Sequence, residues 1–342
     1  TTQPLVVNFS SDMVSPDSVT KIAFGSCNNP ARMKVDQSIY PAILEQQPDL
    51  FLFIGDNIYG DTTDVNIFKK KYQALANLPG CQQLQAQTKV LATWDDHDYG
   101  INDGGKSYSK REASQQLFLD FFNEPKDSVR RTRPGIYTSY SYGRKGQVVQ
   151  IILLDTRYFR DELPKYKGEQ KAGTVGWYEP SKDSTKTLLG ADQWQWLEEQ
   201  LQVEADVRIL ASSIQILAYE KGMENWGNVP HEQQRLFDLL IKYRAHHTVA
   251  ISGDVHFTEL SKVMIGEYPF YDLTSSGMTH ANSKWAKAKN SFRVGKSHPQ
   301  LNAGLIEIDW QNSQLTLSSF NTKGEKLIEH PISLSDLEFP VE

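Results

Sequence analysis

The sequence predicts a layered α/β fold built around a mixed β-sheet. Short, continuous apolar runs rich in β-branched residues are typical of buried strands. Between several of these runs lie segments with apolar residues at three- and four-residue spacing, which is typical of amphipathic helices. After residue 257 polar and apolar residues alternate, which indicates antiparallel strands. Alternating strands and helices form layered α/β cores, and the later antiparallel strands make the sheet mixed.

The predicted elements follow one another in a regular order. Strands are expected at 20–27, 49–56, 89–96, 148–155, 207–215 and 248–256. Helices are expected at 37–47, 65–75, 110–122, 191–202 and 230–244. The segments 304–310 and 314–320 are predicted to pair as a hairpin. No linker or repeat interrupts this order, so we expect one domain over 1–342, with a lead-in over 1–19 and a C-terminal β-hairpin and tail over 300–342.

Composition and charge argue against two classes of protein. A net charge of −6 and a pI near 5.8 do not suit a general nucleic-acid binder, which needs a basic face. The longest apolar run, at 148–154, is too short to cross a bilayer. Because the chain starts with Thr1 rather than methionine, we expect a processed chain that is secreted or periplasmic. The oligomeric state is left open.

The stretch WDDHDYG at 94–100 places three aspartates around one histidine directly after a predicted strand. Carboxylates this close repel one another unless a cation or a proton lies among them, so the stretch indicates a metal. Other ligand-type side chains follow the remaining strands, where ligands gather in open α/β sheets. They are Cys27, Asp56, Asp155, Gln215, Asp254 and His256.

The spacing in GDNIY adds a second indication of metals. Asp56 can bridge two cations with its two oxygens, and Tyr59, three residues on, can point to the same place. A thiolate, a phenolate, a carboxylate and an imidazole together suit trivalent iron. An oxygen-only set of Asp56, Asp96 and Asp254 suits calcium or magnesium, so the site is expected to hold unlike metals.

Six short motifs also occur in the order found in a known family. They are FGSCN, GDNIYGD, WDDHDYGIND, LDTRYFRD, LLGADQWQWL and SGDVH. From about Ile22 to about Thr279 the chain therefore resembles the PhoD-like alkaline phosphatases, a branch of the calcineurin-like metallophosphatase superfamily. The resemblance implies a four-layer α/β sandwich, with two mixed sheets flanked by helices, that hydrolyses phosphate esters at two or three metals.

The same resemblance implies the ligands. Ferric iron would be held by Cys27, Asp56, Tyr59 and His256. One or two calcium ions, or Mg²⁺, Mn²⁺ or Zn²⁺ as substitutes, would be held by Asp96, Asp254 and the bridging Asp56, with Gln215 as a further ligand. Family members often carry glutamate where this chain has Gly60 and Asp98, and Asp61 is expected to substitute at the first position. Full-length bacterial members also carry an N-terminal β-domain, for which the residues before the first strand are too few.

The expected reaction needs no covalent enzyme intermediate. A water held between two metals loses its proton and attacks phosphorus in line with the leaving oxygen. His97 would act as a general acid, which contributes about a hundredfold or more. Arg157 would clamp a phosphate oxygen, or alternatively form an ion pair with Asp155 or Asp161. The residues expected to contact the substrate are Asn57, Asp95 and Trp226.

Two other interpretations remain open at this stage. GINDGGKS at 100–107 matches the pattern of a phosphate-binding P-loop, although three aspartates intervene between it and the preceding strand. A non-enzymatic calcium-binding protein would also place acidic residues at strand ends, but it has no use for thiolate and phenolate ligands. Cys27 and Cys81 could form a disulfide, yet Cys27 fits a metal ligand better and Cys81 then remains a free thiol.

Two irregular stretches are expected near the cleft. Residues 160–186 are too many for a plain connection and are predicted to lie over the site. Residues 278–300 carry five basic side chains and no acidic one, which either attract anionic substrates or form a solvated loop. The basic residues are Lys284, Lys287, Lys289, Arg293 and Lys296. Whether the substrate is a monoester or a diester is not decided by the sequence.

Overall fold

Two mixed β-sheets form the centre of the protein, whose computed structural model describes residues 18–30 and 38–340. The strands are β1 (Lys21–Gly25), β2 (Leu50–Ile54), β3 (Lys89–Thr93), β4 (Thr138–Tyr142), β5 (Val149–Leu153), β6 (Val207–Ala211), β7 (Thr248–Ser252), β8 (Thr258–Ile265), β9 (Tyr268–Ser275), β10 (Arg293–His298), β11 (Ala303–Asp309), β12 (Gln314–Phe320) and β13 (Lys326–Ser333). Over these ranges one sheet has the strand order β13-β12-β11-β1-β2-β3 and the other has the order β10-β8-β9-β7-β6-β5-β4.

Helices cover the outer faces of both sheets. They are α1 (Ile39–Glu45), α2 (Val65–Ala76), α3 (Pro79–Gln87), α4 (Asp96–Tyr99), α5 (Arg111–Phe121), α6 (Gly190–Gln200), α7 (Pro230–Lys242) and α8 (Ser283–Ala286). Short 3₁₀ helices occur at Val129–Arg131, Tyr219–Lys221, Trp226–Asn228 and Leu334–Leu337. None of the helices in the described ranges is both long and apolar enough to cross a bilayer.

Each sheet contains a block of parallel strands joined to antiparallel strands. In the first sheet β1, β2 and β3 run parallel, while β11 joins β1 in antiparallel register. In the second sheet β5, β6, β7 and β9 run parallel, while β4 and β8 are antiparallel neighbours. The carboxyl ends of the parallel strands within a sheet therefore open on one edge, which is where ligands gather in such sheets.

Alternation along β2 shows how the layers are held together. Leu52 and Ile54 are fully buried in an apolar cluster that includes side chains of both sheets. Phe51 and Phe53 point to the opposite face, because successive side chains of a strand alternate, and they pack with side chains of α1, α2, α3 and α5. Helices α6 and α7 pack through Trp194 and Leu236 on the second sheet. The result is the predicted sandwich of two mixed sheets between helices.

The predicted strands and helices are confirmed, most of them one to several residues shorter than predicted and α2 one residue longer, and so is the hairpin of β11 and β12. Helix α3, which contains Cys81, was not predicted as a full helix because its apolar spacing is weak and Pro79 and Gly80 open it. Strand β4 was not predicted either, and only one of its five residues is buried. The predicted lead-in over 1–19 lies, apart from its last two residues, outside the described residues.

The core between the sheets provides a test of the packing. Replacing the fully buried Leu52 with alanine should lower the free energy of unfolding by about 2–5 kcal/mol, because the deletion leaves a cavity that the surrounding strands cannot close. Ile67 on α2 is 40% exposed, so Ile67→Ala should change that free energy by less than about 1 kcal/mol. Urea unfolding of both variants measures the difference, and equal losses would contradict the assignment of Leu52 to the core.

Candidate metal centre

The carboxyl ends of strands from both sheets meet in one cluster of ligand-type side chains. Cys27 follows β1, Asp56 follows β2 and Asp96 follows β3, while Asp254 and His256 follow β7. Ligand atoms of three residues lie within 4.8 Å of one another, and those of a second set of four lie within the same limit. The first set is Cys27, Asp56 and His256, and the second is Asp56, Asp95, Asp96 and Asp254. Asp56 belongs to both sets.

Tyr59 joins the first set through its hydroxyl. The Tyr59 Oη lies 3.3 Å from Asp56 Oδ2 and 3.5 Å from His256 Nε2. The Cys27 Sγ lies 3.3 Å from the same Asp56 oxygen and 3.0 Å from Ser276 Oγ. A thiol, a phenol, an imidazole and a carboxylate thus converge, which is the donor combination that GDNIY and FGSCN predicted.

Four ligand-type residues of this cluster share a strained backbone conformation. Cys27, Asp56, Asp254 and His256 all have positive φ, with values of 57°, 52°, 74° and 59°. Non-glycine residues adopt this left-handed region at a cost, and such residues concentrate at functional sites. At Gly55, with φ of 112°, a Cβ would lie 2.6 Å from Asp95 Cβ, so the turn between β2 and Asp56 needs glycine.

Burial makes the negative charge of the cluster costly. Burial, followed by the charge of Cys27, raises the pKa of Asp56 well above its usual range. Burial likewise raises the pKa of the Cys27 thiol to about 12, and burial together with Asp95 and Asp96 raises the pKa of Asp254. Bound cations reverse such shifts, because they favour the charged forms.

Several carboxylate oxygens also have unused hydrogen-bonding capacity. Among the described residues, Asp56 Oδ1, Asp95 Oδ2 and Asp96 Oδ1 are buried and accept no hydrogen bond. Buried polar atoms are normally paired, so each such atom needs an explanation. Metal ions would satisfy these oxygens, and the donor set fits them: one group offers sulfur, nitrogen and oxygen, and the other offers oxygen alone.

Arg157 is placed differently from the predicted phosphate clamp. Its side chain is fully buried, with Nε 2.5 Å from Asp95 Oδ1 and Nη1 2.6 Å from Glu224 Oε2. Its Nη2 lies 3.9 Å from Asp96 Oδ1. Arg157 thus forms ion pairs, as the alternative prediction stated, but its partners are Asp95 and Glu224 rather than Asp155 or Asp161. Asp155 accepts a hydrogen bond from the Arg157 backbone N–H. Arg157 therefore holds carboxylates of the cluster in position.

Gln215, the predicted further ligand, uses its side chain elsewhere. Its Nε2 donates to Glu259 Oε1 and to Thr274 Oγ1, both at 2.8 Å. Its Oε1 accepts a hydrogen bond from Lys221 Nζ at 3.1 Å. Gln215 lies four residues after the end of β6 and is 1% exposed, and its amide is engaged in a buried network with the Lys221–Glu259 ion pair rather than in the cluster.

The three predicted substrate contacts are all buried. Asn57 donates through Nδ2 to Asp98 Oδ2 at 2.6 Å, and Asp95 is paired with Arg157. Trp226 is fully buried in the apolar core. Burial at these positions argues against direct substrate contact and indicates that Asn57 and Asp95 support the cluster.

Asp98 and Asp61 lie at or beside the two positions where family members often carry glutamate, and both have structural partners. Asp98 accepts hydrogen bonds from the backbone N–H groups of Asp56 and Asp95, so it fixes the turns that carry the ligands. Asp61 lies 2.7 Å, through Oδ1, from His97 Nδ1. A Cβ at Gly60 would lie 2.5 Å from the Phe68 ring, which explains why a larger side chain is absent there.

Two groups near the cluster were not predicted. Glu224 joins Asp96 and Asp103 in a third set of carboxylates whose atoms lie within 4.8 Å of one another. His280 follows β9, with Nε2 3.0 Å from Tyr59 Oη and 3.2 Å from His256 Nε2. His280 could have been predicted, because it follows a buried strand as the other ligand-type residues do. It lies, however, in the segment 278–300, where the basic residues are the most prominent feature.

A cavity of about 270 Å³ opens beside the cluster. Asp96, His97, Asp254 and His256 of the cluster line it. Its aromatic and aliphatic lining comes from Val175, Trp177, Tyr178, Met223 and Trp285, and further polar groups come from Asn102, Asp103, Lys165 and Glu224. The predicted cleft segment 160–186 thus reaches the cavity.

Backbone contacts join the two segments of this wall. Val175 N donates to Lys221 O, and Tyr178 N donates to Gly222 O, both at 2.8 Å. At Gly176 a Cβ would lie 2.0 Å from Gly222 O, so the close approach needs glycine. The segments 175–178 and 221–223 therefore form one continuous surface.

The basic stretch 278–300 is partly neutralised. Arg293 forms an ion pair with the buried Glu259 at 2.8 Å, and Lys289 forms one with Glu220 at 2.7 Å. Trp285 stacks on the His256 ring with centroids 4.7 Å apart. The stretch therefore contributes a ring to the cavity wall, while two of its five cations are already paired.

The P-loop interpretation does not agree with the structure. Residues 100–107 form turns between α4 and α5, so no strand leads directly into them and no helix begins at their end. Lys106 pairs with Asp161, and Ser107 donates to Glu162 Oε1 at 2.6 Å. Both cysteines are buried free thiols, so the alternative disulfide is absent from the described residues.

Sequence comparisons match the chain to known phosphatases. A family model described as PhoD-like phosphatase matches residues 22–316. Alkaline phosphatase D of Bacillus subtilis (strain 168) is 24% identical over 226 residues, which are 60% of this chain and 36% of that protein. The chain thus matches only about a third of that relative's length.

Solved structures show the same fold. A structure of PhoD superposes with a TM-score of 0.71 at 17% identity, covering 91% of this chain and 72% of the other. Purple acid phosphatase PPD1 from yellow lupin seeds gives a TM-score of 0.63 at 12% identity, covering 96% and 57%.

The buried Arg157 network provides a test of the cluster's electrostatics. Arg157→Met should lower the free energy of unfolding by about 3–5 kcal/mol, because it leaves Asp95 and Glu224 buried without their cation. Lys126→Met is a control, since Lys126 and Asp120 form an exposed pair whose loss should cost less than about 1 kcal/mol. Urea unfolding measures the free energy of unfolding of both variants. Similar decreases in this free energy would show that Arg157 is not needed to balance the carboxylates.

Proposed function

The chain belongs to the PhoD-like phosphatase family, and from this membership we propose that it is a metal-dependent hydrolase of small phosphate esters within one metallophosphatase domain. The observation that carries the proposal is the position of Asp56, whose ligand atoms belong to two adjacent sets of different chemistry. A carboxylate shared in this way can bridge two cations. Two-metal sites clamp the attacking and leaving oxygens of a phosphoryl transfer.

The donor atoms support unlike metals at the two positions. Cys27, Tyr59 and His256 together with Asp56 suit ferric iron, because sulfur, phenolate and imidazole donors suit a transition metal. Asp96 and Asp254 with Asp56 offer oxygen only, which suits Ca²⁺, with Mg²⁺, Mn²⁺ or Zn²⁺ as substitutes. Bound there, the ions would supply the positive charge that lowers the pKa of a water molecule and neutralises phosphoryl oxygens.

His97 is the proposed proton donor to the leaving oxygen. Its Nε2 lies 4.0 Å from Asp96 Oδ2, so the ring stands beside the proposed metal ligands. The ring is oriented by Asp61 at Nδ1, and the residue lines the cavity. A protonated imidazole held in this way can donate a proton as the ester bond breaks.

The cavity supports a substrate with an organic group on the phosphate. Trp177, Met223 and Trp285 line the cavity and would contact such a group. Small-ligand pockets combine apolar and aromatic surface with polar groups that fix the orientation of the ligand. Lys165, whose Nζ lies 3.9 Å from Asp103 Oδ2, also lines the cavity and would offer a positive charge to a phosphoryl oxygen. Both a monoester and a diester carry such a group, so both belong to the proposed substrate class.

Asp56 provides the main test of this proposal. Asp56→Asn should lower hydrolysis of p-nitrophenyl phosphate and of bis(p-nitrophenyl) phosphate by about 10³-fold, because losing the shared carboxylate removes several kcal/mol of transition-state stabilisation. Metal content, measured by elemental analysis, should fall as well. Asp64→Asn is the matched control, since Asp64 only caps α2 and asparagine caps equally well. Wild-type rates in Asp56→Asn would overturn the proposal.

His97 allows a finer test of the chemistry. His97→Asn should lower kcat by about 10²-fold for an alkyl phosphate and by much less for p-nitrophenyl phosphate, whose leaving oxygen needs no proton. Metal content should stay unchanged. His330→Asn, on β13, is a control that should leave both rates as they are. An equal loss on both substrates would argue against proton donation by His97.

A further inference from the structure

Asp96, a proposed metal ligand, is held by the backbone of Asp103. The Asp103 N–H donates to Asp96 Oδ2 at 2.6 Å. Asp96 Oδ1 is buried and accepts no hydrogen bond in the part of the chain that the structure describes. Carboxylates that bind metals are themselves fixed by hydrogen bonds, which orient them toward the ion. The position of Asp103 therefore decides where Asp96 can present its free oxygen to a cation.

Tyr178 in turn holds the side chain of Asp103. Its hydroxyl donates to Asp103 Oδ2 at 2.6 Å, since an ionised carboxylate only accepts hydrogen bonds. Lys165 Nζ lies 3.9 Å from the same oxygen. The buried Arg160 donates through Nη2 to the carbonyl of Asp103. Asp103 is thus fixed through its side chain, its carbonyl and its N–H.

The backbone of Tyr178 is anchored as well. Tyr178 N donates to Gly222 O at 2.8 Å, and Tyr178 pairs with Lys165 in an isolated β-bridge. The Lys165 Nζ lies 4.6 Å from the centroid of the Tyr178 ring. Tyr178, Asp103 and Asp96 all line the cavity. Two hydrogen bonds therefore connect the cavity wall at Tyr178 to the proposed ligand Asp96.

We propose that Tyr178 is a positioning residue of the oxygen-only metal site and that it acts through Asp103 on Asp96. The inference rests on the proposed metal centre and adds to it a residue that is not itself a ligand. The Tyr178 hydroxyl keeps the Asp103 N–H directed at Asp96 Oδ2, which leaves Oδ1 for the cation. Without that hydroxyl the side chain of Asp103 loses a fixed partner, so Asp96 is less well oriented and holds its cation less tightly.

Calorimetric titration of the purified protein with Ca²⁺, and with Mn²⁺ as a second probe, tests this role. Tyr178→Phe should raise the Kd of the ion about threefold to tenfold, which is less than the roughly 10–100-fold cost of losing a group bonded directly to a ligand. Iron per chain, measured by elemental analysis, should match the wild type, because Asp96 is not in the set of Cys27, Asp56 and His256.

The dependence of the rate on the ion separates positioning from substrate contact. Hydrolysis of p-nitrophenyl phosphate by Tyr178→Phe should be slow at low Ca²⁺ and should recover at saturating Ca²⁺. A loss of rate that persists at saturating Ca²⁺, with an unchanged Kd of the ion, would show that Tyr178 acts on the substrate and would overturn the positioning role.

Two further variants make the result decisive. Tyr166→Phe is the matched control, because the Tyr166 hydroxyl bonds within its own segment, to Thr174 Oγ1 and Gly176 O. It should leave the Kd of the ion unchanged. Asp103→Asn, which tolerates the φ of 54° at this position, should also weaken ion binding. Combined with Tyr178→Phe it should lose less than the sum of the two single losses, because the two residues act as one unit.

Three results would overturn the inference: a wild-type Kd in Tyr178→Phe, an equal loss in Tyr166→Phe, or additive losses in the double variant. A loss in Asp103→Asn alone would show that Asp103 acts without Tyr178, and would also overturn it. A wild-type protein that binds neither Ca²⁺ nor Mn²⁺ and hydrolyses no phosphate ester would instead overturn the proposed function on which the inference rests.

Discussion

The arrangement of the site depends on the repulsion among carboxylates gathered at one edge of two sheets. Asp56, Asp95 and Asp96 are nearly inaccessible to solvent, Asp254 is partly buried, and oxygens of the four residues lie within 4.8 Å of one another. Within the described residues, a single buried guanidinium, that of Arg157, contacts this group. Even with a protonated His97, whose Nε2 lies 4.0 Å from Asp96 Oδ2, two cations do not balance four carboxylates, and bound metal ions would supply the missing positive charge. Cys27, Asp56, Asp254 and His256 also share positive φ values, a strained conformation that concentrates at functional sites.

The structure separates groups that face the cavity from groups that support them. His97, Asp96, Asp254 and His256 line the cavity, whereas Asn57, Asp98 and Arg157 are buried beside them. Asp98 accepts hydrogen bonds from backbone N–H groups of two turns, and Arg157 forms ion pairs with both Asp95 and Glu224. This division matters for chemistry because ligands held by fixed partners need little reorganisation when charge develops during a reaction.

The sequence predicts the location of a residue well where that location depends on position along a strand. A buried strand ends where its apolar run ends, so Cys27, Asp56, Asp96 and Asp254 could be assigned to one edge from the order of the motifs alone. It predicts less well the direction in which a side chain points. Arg157 and Gln215 stand in the right segments, but partners more than 35 residues away, Glu224 and Glu259, draw them into the interior. Such contacts leave no local pattern. His280 was missed for a related reason, because its neighbours in the cluster come from strands distant in sequence.

The paired glycines of the cavity wall have a consequence for how this scaffold can diversify. Gly176 and Gly222 bring two chain segments together so closely that neither can accept a side chain without displacing the other. If residues 160–186 alone were replaced by those of a relative, the new segment would no longer fit against residues 221–223. An exchange of this cavity wall between relatives therefore has to include both segments, because a new loop at one of them alone would not fit the other.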